Sequence, residues 1–231
     1  MKQSELEKDR IVKLYKGYES EQYQAMWSIN NFGNQFIYKE RDQAIENLLF
    51  ECDVTLHNKK ILEVGCAGGY VITSLLRLGA VEENIHGIDI RSNRLNDAKK
   101  AHPNAKFSVM DASELNFPEN SFDIIITFTL FSSILNKAIR QKIATELYRV
   151  LKPGGAVLYY DFRFNNPTNQ HVIGIYKNEI NRLFPGINKT LKLITLLPPL
   201  ARRLGSMTSI LYPALSTIPL LRSHYLGIFV K

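Results

Sequence analysis

Cysteine is scarce: only Cys52 and Cys66 occur in 231 residues, far apart and without metal-ligand spacing. That excludes a disulfide framework and a zinc site, and both are read as reduced thiols. No apolar run reaches the roughly 18 residues that span a bilayer. The opening MKQSELEKDR is too charged for a secretory signal, so the expected location is the cytoplasm. Internal repeats and low-complexity tracts are missing. The G-x-G-x-x-G order is missing too, which argues against a nicotinamide-dependent dehydrogenase, and no G-x-x-x-x-G-K-[ST] segment supports a nucleotide hydrolase. Carboxylates become rare late in the chain: beyond residue 160 only Asp161 and Glu179 stand against nine lysines and arginines.

What is present suits one α/β domain with a small embellishment. Apolar residues make up 45% of the chain, enough to bury a core and to exclude a disordered or fibrous protein. The net charge of +7 falls entirely within the last 71 residues, the rest being close to balanced. Such a segment suits phosphate, anionic lipid or nucleic acid, or is a solvated basic surface; charge patterning alone chooses no partner.

Residues 1–57 read as a helical cap or lid: apolar and aromatic positions at Ile11, Leu14, Tyr15 and Tyr18 suggest one helix, and Lys39 to Phe50 a second. The turn formers of MWSINNFGNQF bend the chain between them. Residues 58–231 then alternate. KKILEVG, NIHGIDI, AKFSVMD, SFDIIITFT and GGAVLYYDF read as strands, with helices at GYVITSLLRLG, RSNRLNDAKKAH (opened by Ser92 as a cap) and KAIRQKIATELYRVL. YKNEINRLF suggests a helix, TLKLITLL a strand, residues 198–222 a proline-punctuated helical insert, and HYLGIFV a last strand. The expected fold is a doubly wound, mostly parallel seven-stranded sheet with an antiparallel last strand.

The first strand ends in Glu63-Val64-Gly65-Cys66-Ala67-Gly68-Gly69 and runs into a helix. A glycine turn there lets backbone approach a ligand beside unpaired helix-start N–H groups. Asp89 ends the second strand about 20 residues on, where a carboxylate suits the hydroxyls of an adenosine ribose. Asp111, followed by Ala112, ends the third and is placed to accept from an adenine amino group. Together with Gly87-Ile88-Asp89, Phe122-Asp123 and Arg149 to Gly155, this ordered set resembles the class I, Rossmann-like S-adenosylmethionine-dependent methyltransferases, of the small-molecule type. The resemblance covers residues 58 to 165 well and the remainder loosely.

The resemblance implies that S-adenosylmethionine is the cofactor. Glu63 would orient its methionine end, Gly65 and Gly68 would pass beneath it, Asp89 would bind its ribose and Asp111 its adenine, with Cys66, Ala67, Ile90, Ala112 and Thr127 completing the cleft. The usual second loop glycine is replaced by Ala67. The Asn/Asp-Pro-Pro-aromatic turn of amide and base methylation is absent: Thr127-Phe128-Thr129-Leu130 stands there. No carboxylate ends the fourth strand to hold Mg²⁺, so no metal is expected.

The acceptor side is less determined. Methyl transfer from a sulfonium donor gains mainly from alignment in a water-poor cleft, and needs a base only where the acceptor must lose a proton. Candidates for that base are Asp161 and His171; each has an alternative role, His171 as a surface residue. The run Asp161-Phe162-Arg163-Phe164-Asn165-Asn166-Pro167 reads as recognition equipment, with Arg163 and Asn166 for the substrate, or as a polar linking turn. Among the N-terminal aromatics Tyr15, Tyr18, Tyr23 and Trp27, Tyr18 and Trp27 are the lid candidates for acceptor contact, or else packing. The insert with Arg202, Arg203 and Arg222 either walls an acceptor pocket or makes peripheral contact with a membrane. The expected function is methylation of a small molecule, such as a sugar-containing or other secondary metabolite. Nucleic acid is disfavoured and no obligatory protein partner is evident. An RNA or protein methyltransferase, suggested by the basic tail, and a non-catalytic donor-binding scaffold or regulator are the alternatives.

Overall fold

The computed structural model describes residues 2–18, 20–167 and 169–231, the side chains of residues 2–4 and 22–24 excepted. Three helices open the chain: α1 (Lys2–Gly17), α2 (Glu21–Met26) and α3 (Phe32–Glu51). The alternation follows as β1 (Ile61–Val64), α4 (Tyr70–Arg77), β2 (Ile85–Asp89), α5 (Ser92–Ala101), β3 (Lys106–Val109), β4 (Phe122–Phe128), α6 (Lys137–Val150) and β5 (Leu151–Phe162). The rest is α7 (Lys177–Leu183), β6 (Asn188–Leu196), α8 (Pro198–Arg203), α9 (Thr208–Ser216) and β7 (Arg222–Val230).

The seven strands form one sheet in the order β3-β2-β1-β4-β5-β7-β6. Pairing is parallel from β3 to β5, and β7 runs antiparallel between β5 and β6. The order reverses between β1 and β4, and a crevice outside the carboxyl ends of the strands is where such a sheet receives a ligand. Alternate strand residues feed two cores. On one face Leu62, Val64, Ile88, Ile125, Val157 and Tyr159 meet α6 and α7; on the other Ile61, Ile85, Ile124, Ile126 and Leu158 meet α3 and α4.

Three local expectations need correction. The second N-terminal helix begins at Phe32, not Lys39, because Asn31 caps it by accepting from the Asn34 N–H at 3.3 Å. The Gly33 that reads as a turn former marks a close approach instead: a Cβ there would sit 2.3 Å from the Ala201 carbonyl oxygen of α8. Ser92 is the first residue of α5 rather than its cap; Arg91 holds the cap position without a side-chain cap bond, its guanidinium being turned back to Asp89. Of the segment expected to cap the core, α3 is itself a core layer, with Ile45 and Leu48 fully buried, and α1 is the helix that reaches the crevice.

Candidate active site

The turn after β1 is built from backbone bonds. The Gly65 and Cys66 N–H groups donate to the Ile88 carbonyl at 2.8 and 3.0 Å, and Gly69 N–H to the Cys66 carbonyl at 2.8 Å. Ala67 sits at φ 46°, in the left-handed region that favours glycine, so its Cβ is held there at a cost in backbone strain. Its N–H donates to Asp89 Oδ2 at 3.0 Å, so the loop and the second strand end are tied together.

These groups border a cavity of about 230 Å³ at the sheet's switch point. Gly65, Ala67, Asp89, Ile90, Asp111 and Ala112 line it, as the spacing of three successive strand ends predicts. Glu63, Cys66, Gly68 and Thr127 are not among the lining residues; Glu63 lies one residue behind Val64, which is. The Cys66 thiol is buried, and burial followed by the charges of Glu63 and Asp89 pushes its pKa up, so it stays a thiol.

Both nucleoside-type acids hold cations of this chain. The Arg91 backbone N–H and Nε donate to Asp89 Oδ1 at 2.9 and 3.2 Å, and Nη2 to Oδ2 at 3.3 Å, while the guanidinium lies 4.2 Å from the Tyr15 ring centre. Lys8 of α1 pairs with Asp111 at 2.7 Å, and Asp111 also accepts from the Ser113 N–H at 2.8 Å. Burial pushes the Asp111 carboxyl up, but Lys8 and Ser113 outweigh it and hold it below the ordinary range.

Glu63 differs from both. It is buried, its Oε2 has no hydrogen-bond partner, and burial followed by the charge of Asp89 raises its pKa to about 8. The charge of Arg41 offsets this only in part, and a buried carboxyl of this kind suits a ligand that brings a cation. The donor set therefore fits S-adenosylmethionine: Glu63 for an ammonium, Asp89 for ribose hydroxyls, Asp111 for an exocyclic amine.

The N-terminal segment, expected to cover the cleft through its aromatics, does so with Tyr15, joined by residues of α1 that the aromatic pattern does not single out. Glu7, Lys8, Ile11 and Tyr15 of α1 close the cavity from above, and Leu130, Ser133, Ile134, Ile139 and Ile143 from the side of α6. Arg10 Nη2 donates to the Ser133 carbonyl at 2.6 Å, and the Tyr15 and Ser133 hydroxyls are 3.0 Å apart. The 3–4 spacing of Lys8, Ile11 and Tyr15 is the signal that would have found this face.

The residues expected to serve the acceptor lie elsewhere. Asp161 is 0% exposed; its Oδ2 accepts from the Ser132 N–H at 3.1 Å and its Oδ1 from the Phe162 N–H at 2.9 Å. Burial raises its pKa to about 7 against those bonds. Arg163 donates to the Arg222 and Pro219 carbonyls at 2.6 and 3.0 Å. The Asn166 carbonyl closes a turn with the Asn169 N–H at 3.1 Å. His171 is exposed, its N–H given to Asn169 Oδ1. Tyr18 accepts from Asn169 Nδ2 at 3.3 Å, joining the end of α1 to that loop. Trp27 lies 3.9 Å under the Arg202 guanidinium of the insert, and the Tyr23 side chain lies outside the described residues. Among the described residues, neither the loop at 161–171 nor the insert lines the cavity. Among the described residues no cluster of three His, Cys, Asp or Glu could hold a metal ion.

Known proteins resemble this chain in sequence and fold. Residues 61–155 match the family model described as "Methyltransferase domain". The ubiquinone/menaquinone biosynthesis C-methyltransferase UbiE of Campylobacter jejuni is 31% identical over 139 residues, covering 58% of this chain and 56% of that protein. The fatty-acid O-methyltransferase of Mycolicibacterium smegmatis is 30% identical over 165 residues, covering 68% and 55%. The chain thus spans little more than half the length of these relatives. In fold it superposes on the PH0226 protein of Pyrococcus horikoshii OT3 with a TM-score of 0.62 at 17% identity, covering 92% of this chain and 99% of that one. With the turn after β1 and the acids after β2 and β3 converging on one cavity, residues 61–155 are a methyltransferase domain, carried on the class I, Rossmann-like methyltransferase fold.

Proposed function

We propose that this protein transfers a methyl group from S-adenosylmethionine to a small-molecule acceptor with an apolar body, in the cavity beneath α1. The observation that carries the reading is the convergence of Gly65, Ala67, Asp89 and Asp111 on one cavity. When bound, the donor supplies a methyl already activated on a sulfonium. The chain's own contribution is to align the partners and exclude water. Asp89 would release the Arg91 guanidinium to accept from ribose hydroxyls, leaving Arg91 over the Tyr15 ring; the Ala67 and Arg91 backbone N–H groups stay to orient the carboxylate. Asp111 would exchange Lys8 in the same manner, and Glu63 would gain a paired cation.

Support for the acceptor class comes from the lining. Alongside the acids and their cations Lys8 and Arg91, the lining includes Ile11, Met110, Leu130, Ile134, Ile139 and Ile143, with Thr129 and Ser133 as its hydroxyl groups besides Tyr15. The polar run that favoured a sugar-containing acceptor is engaged within the fold instead. The names of two relatives, concerned with quinone biosynthesis and fatty acids, agree with an apolar acceptor. No histidine lines the cavity among the described residues, Glu7 is held by Arg10 and the Leu135 N–H, and the Tyr15 hydroxyl is shared with Ser133. This suits a nucleophile that loses no proton before transfer. A catalytic part for His171 would need its loop to turn inward.

Calorimetric titration with S-adenosylmethionine, its demethylated product and NAD tests the donor site. Binding of the first two alone, lost in both Asp89→Ala and Asp111→Ala, is the expected result. Binding of NAD alone, or unchanged binding in both variants, overturns it. Donor binding without transfer to any quinol or fatty acid in an acceptor screen would favour the scaffold reading.

A further inference from the structure

The insert between β6 and β7 has two faces, and only one is accounted for. Its inner face packs on α3: Ala201 and Tyr212 join Ile37 and Leu196 in a third apolar cluster, the Tyr212 hydroxyl donates to Glu40 Oε2 at 2.7 Å, and the Asn31 side chain donates to the Arg202 carbonyl. The outer face is apolar as well. Helix α9, TSILYPALS, carries no charged residue; it buries Thr208, Tyr212 and Ser216 and turns Ile210, Pro213 and Ala214 outward. Ile210 is 72% exposed and Leu220, in the 3-10 turn before β7, is 77% exposed. Met207 and Ile218 are exposed beside them, and Ile29 and Phe32 at the start of α3, which abuts α8. A short helix apolar on every side is buried or meets an apolar phase, and a patch of this kind on a water-soluble surface marks an interaction site.

Charge selects the partner. Residues 180–231 contain no Asp or Glu. Arg203 is exposed at the end of α8, and Glu40, the α3 carboxylate that reaches the insert, is taken up by Arg222, Tyr212 and Thr195. Apolar side chains beside cationic ones, with no anion on the same element, match a lipid surface bearing negative headgroups. We infer that the outer face of residues 203–220 rests on an anionic membrane surface, with Ile210 and Leu220 entering the headgroup boundary and Arg203 meeting lipid phosphate. Among the described residues no helix is long and apolar enough to cross a membrane, so the contact is peripheral.

Among the described residues, the insert lines no part of the cavity, so docking and donor binding are separable. The test is co-sedimentation of the whole chain with vesicles of phosphatidylcholine alone and of phosphatidylcholine mixed with phosphatidylglycerol. We expect pelleting with the mixed vesicles, weakened by high salt. The double variant Ile210→Asp, Leu220→Asp should partition at least about tenfold less, the loss of two apolar anchors. Arg203→Glu alone should lose about fivefold. Both variants change exposed side chains and should keep the wild-type affinity for S-adenosylmethionine, which shows that they fold. A protein that stays in the supernatant with mixed vesicles at low salt overturns the inference. So does a double variant that pellets like the wild type. Concentration-dependent dimerisation lost in the double variant, without vesicle binding, would assign the face to a second copy of the chain instead.

Discussion

Two stretches of this chain look like site equipment, and the fold treats them in opposite ways. Asp89 and Asp111 are isolated acids at the ends of apolar strands; the run from Asp161 to Pro167 is dense in hydrogen-bonding groups. The isolated acids line the cavity, whereas the dense run is consumed by its neighbours. The difference lies in what surrounds each group. A side chain at the carboxyl end of a parallel strand projects into the crevice, where backbone N–H groups orient it and a cation of the chain pairs with it. A loop leaving the sheet beside an insert must satisfy its own buried N–H and C=O groups, and nearby polar side chains meet that need first. Polar density is thus weaker evidence for a site than position in the topology.

The sharpest way to break the comparison is Asp161→Ala. If Asp161 is structural, the substitution strands the Ser132 and Phe162 N–H groups without an acceptor and costs about 3 kcal/mol. For a domain of this size that is a fall in Tm of roughly 6–12 °C, read by thermal denaturation, with donor affinity unchanged. A variant that keeps its Tm but loses turnover would restore Asp161 to the reaction. The opposite pattern is expected at the turn after β1. Ala67→Val places a β-branched residue at φ 46°, a strain of about 1–2 kcal/mol, beside the cavity. Donor affinity by calorimetry should fall roughly tenfold or more, with a smaller change in Tm than Asp161→Ala produces.

The strand ends were legible because short apolar-rich runs, each followed by a turn or helix signal, mark β1, β2, β3 and β4, and the residues at the ends of the first three fix the floor of the cavity. The antiparallel β7 was legible too, since no crossover helix separates TLKLITLL from HYLGIFV except the proline-punctuated insert. The charged part of the roof was not. Lys8, Glu7 and Arg10 read as an ordinary charged helix until α1 is folded over the crevice, because an ion pair between residues 8 and 111 leaves no trace in local pattern. Gly33 misled for a related reason, its role being close contact with a helix far along the chain.

Glu63 sharpens the comparison through pH. Its carboxyl titrates near 8 in the folded protein, against 4.5 for the ordinary group, because burial and the charge of Asp89 disfavour the anion. The folded state therefore binds the proton more tightly than the unfolded one. The stability this gives is complete below about 4.5 and is lost as pH rises toward about 8. Donor binding runs the other way if Glu63 meets an ammonium, since the bound form favours the anion. Affinity should rise by up to tenfold per pH unit between about 6 and 8, then level off, with a proton released on binding. Calorimetry in buffers of different ionisation enthalpy reads that proton directly. Glu63→Gln should flatten the slope; a slope retained in that variant would place the titrating group elsewhere.

The smallest effect tests the roof. Lys8 holds Asp111 at 2.7 Å and is partly exposed, so the pair contributes little to stability on its own. Its importance lies in what must be displaced when an adenine amino group takes the same carboxylate. If Lys8 is only a placeholder, Lys8→Met frees Asp111 in advance and donor affinity rises two- to fivefold at low ionic strength, an effect of about 0.5–1 kcal/mol that shrinks as salt screens the pair. If Lys8 instead latches α1 over a bound donor, the same variant binds more weakly and exchanges the donor faster. Titration at low and high salt distinguishes the two. The sign of the change tells whether α1 competes for the strand-end acids or closes over a ligand they already hold.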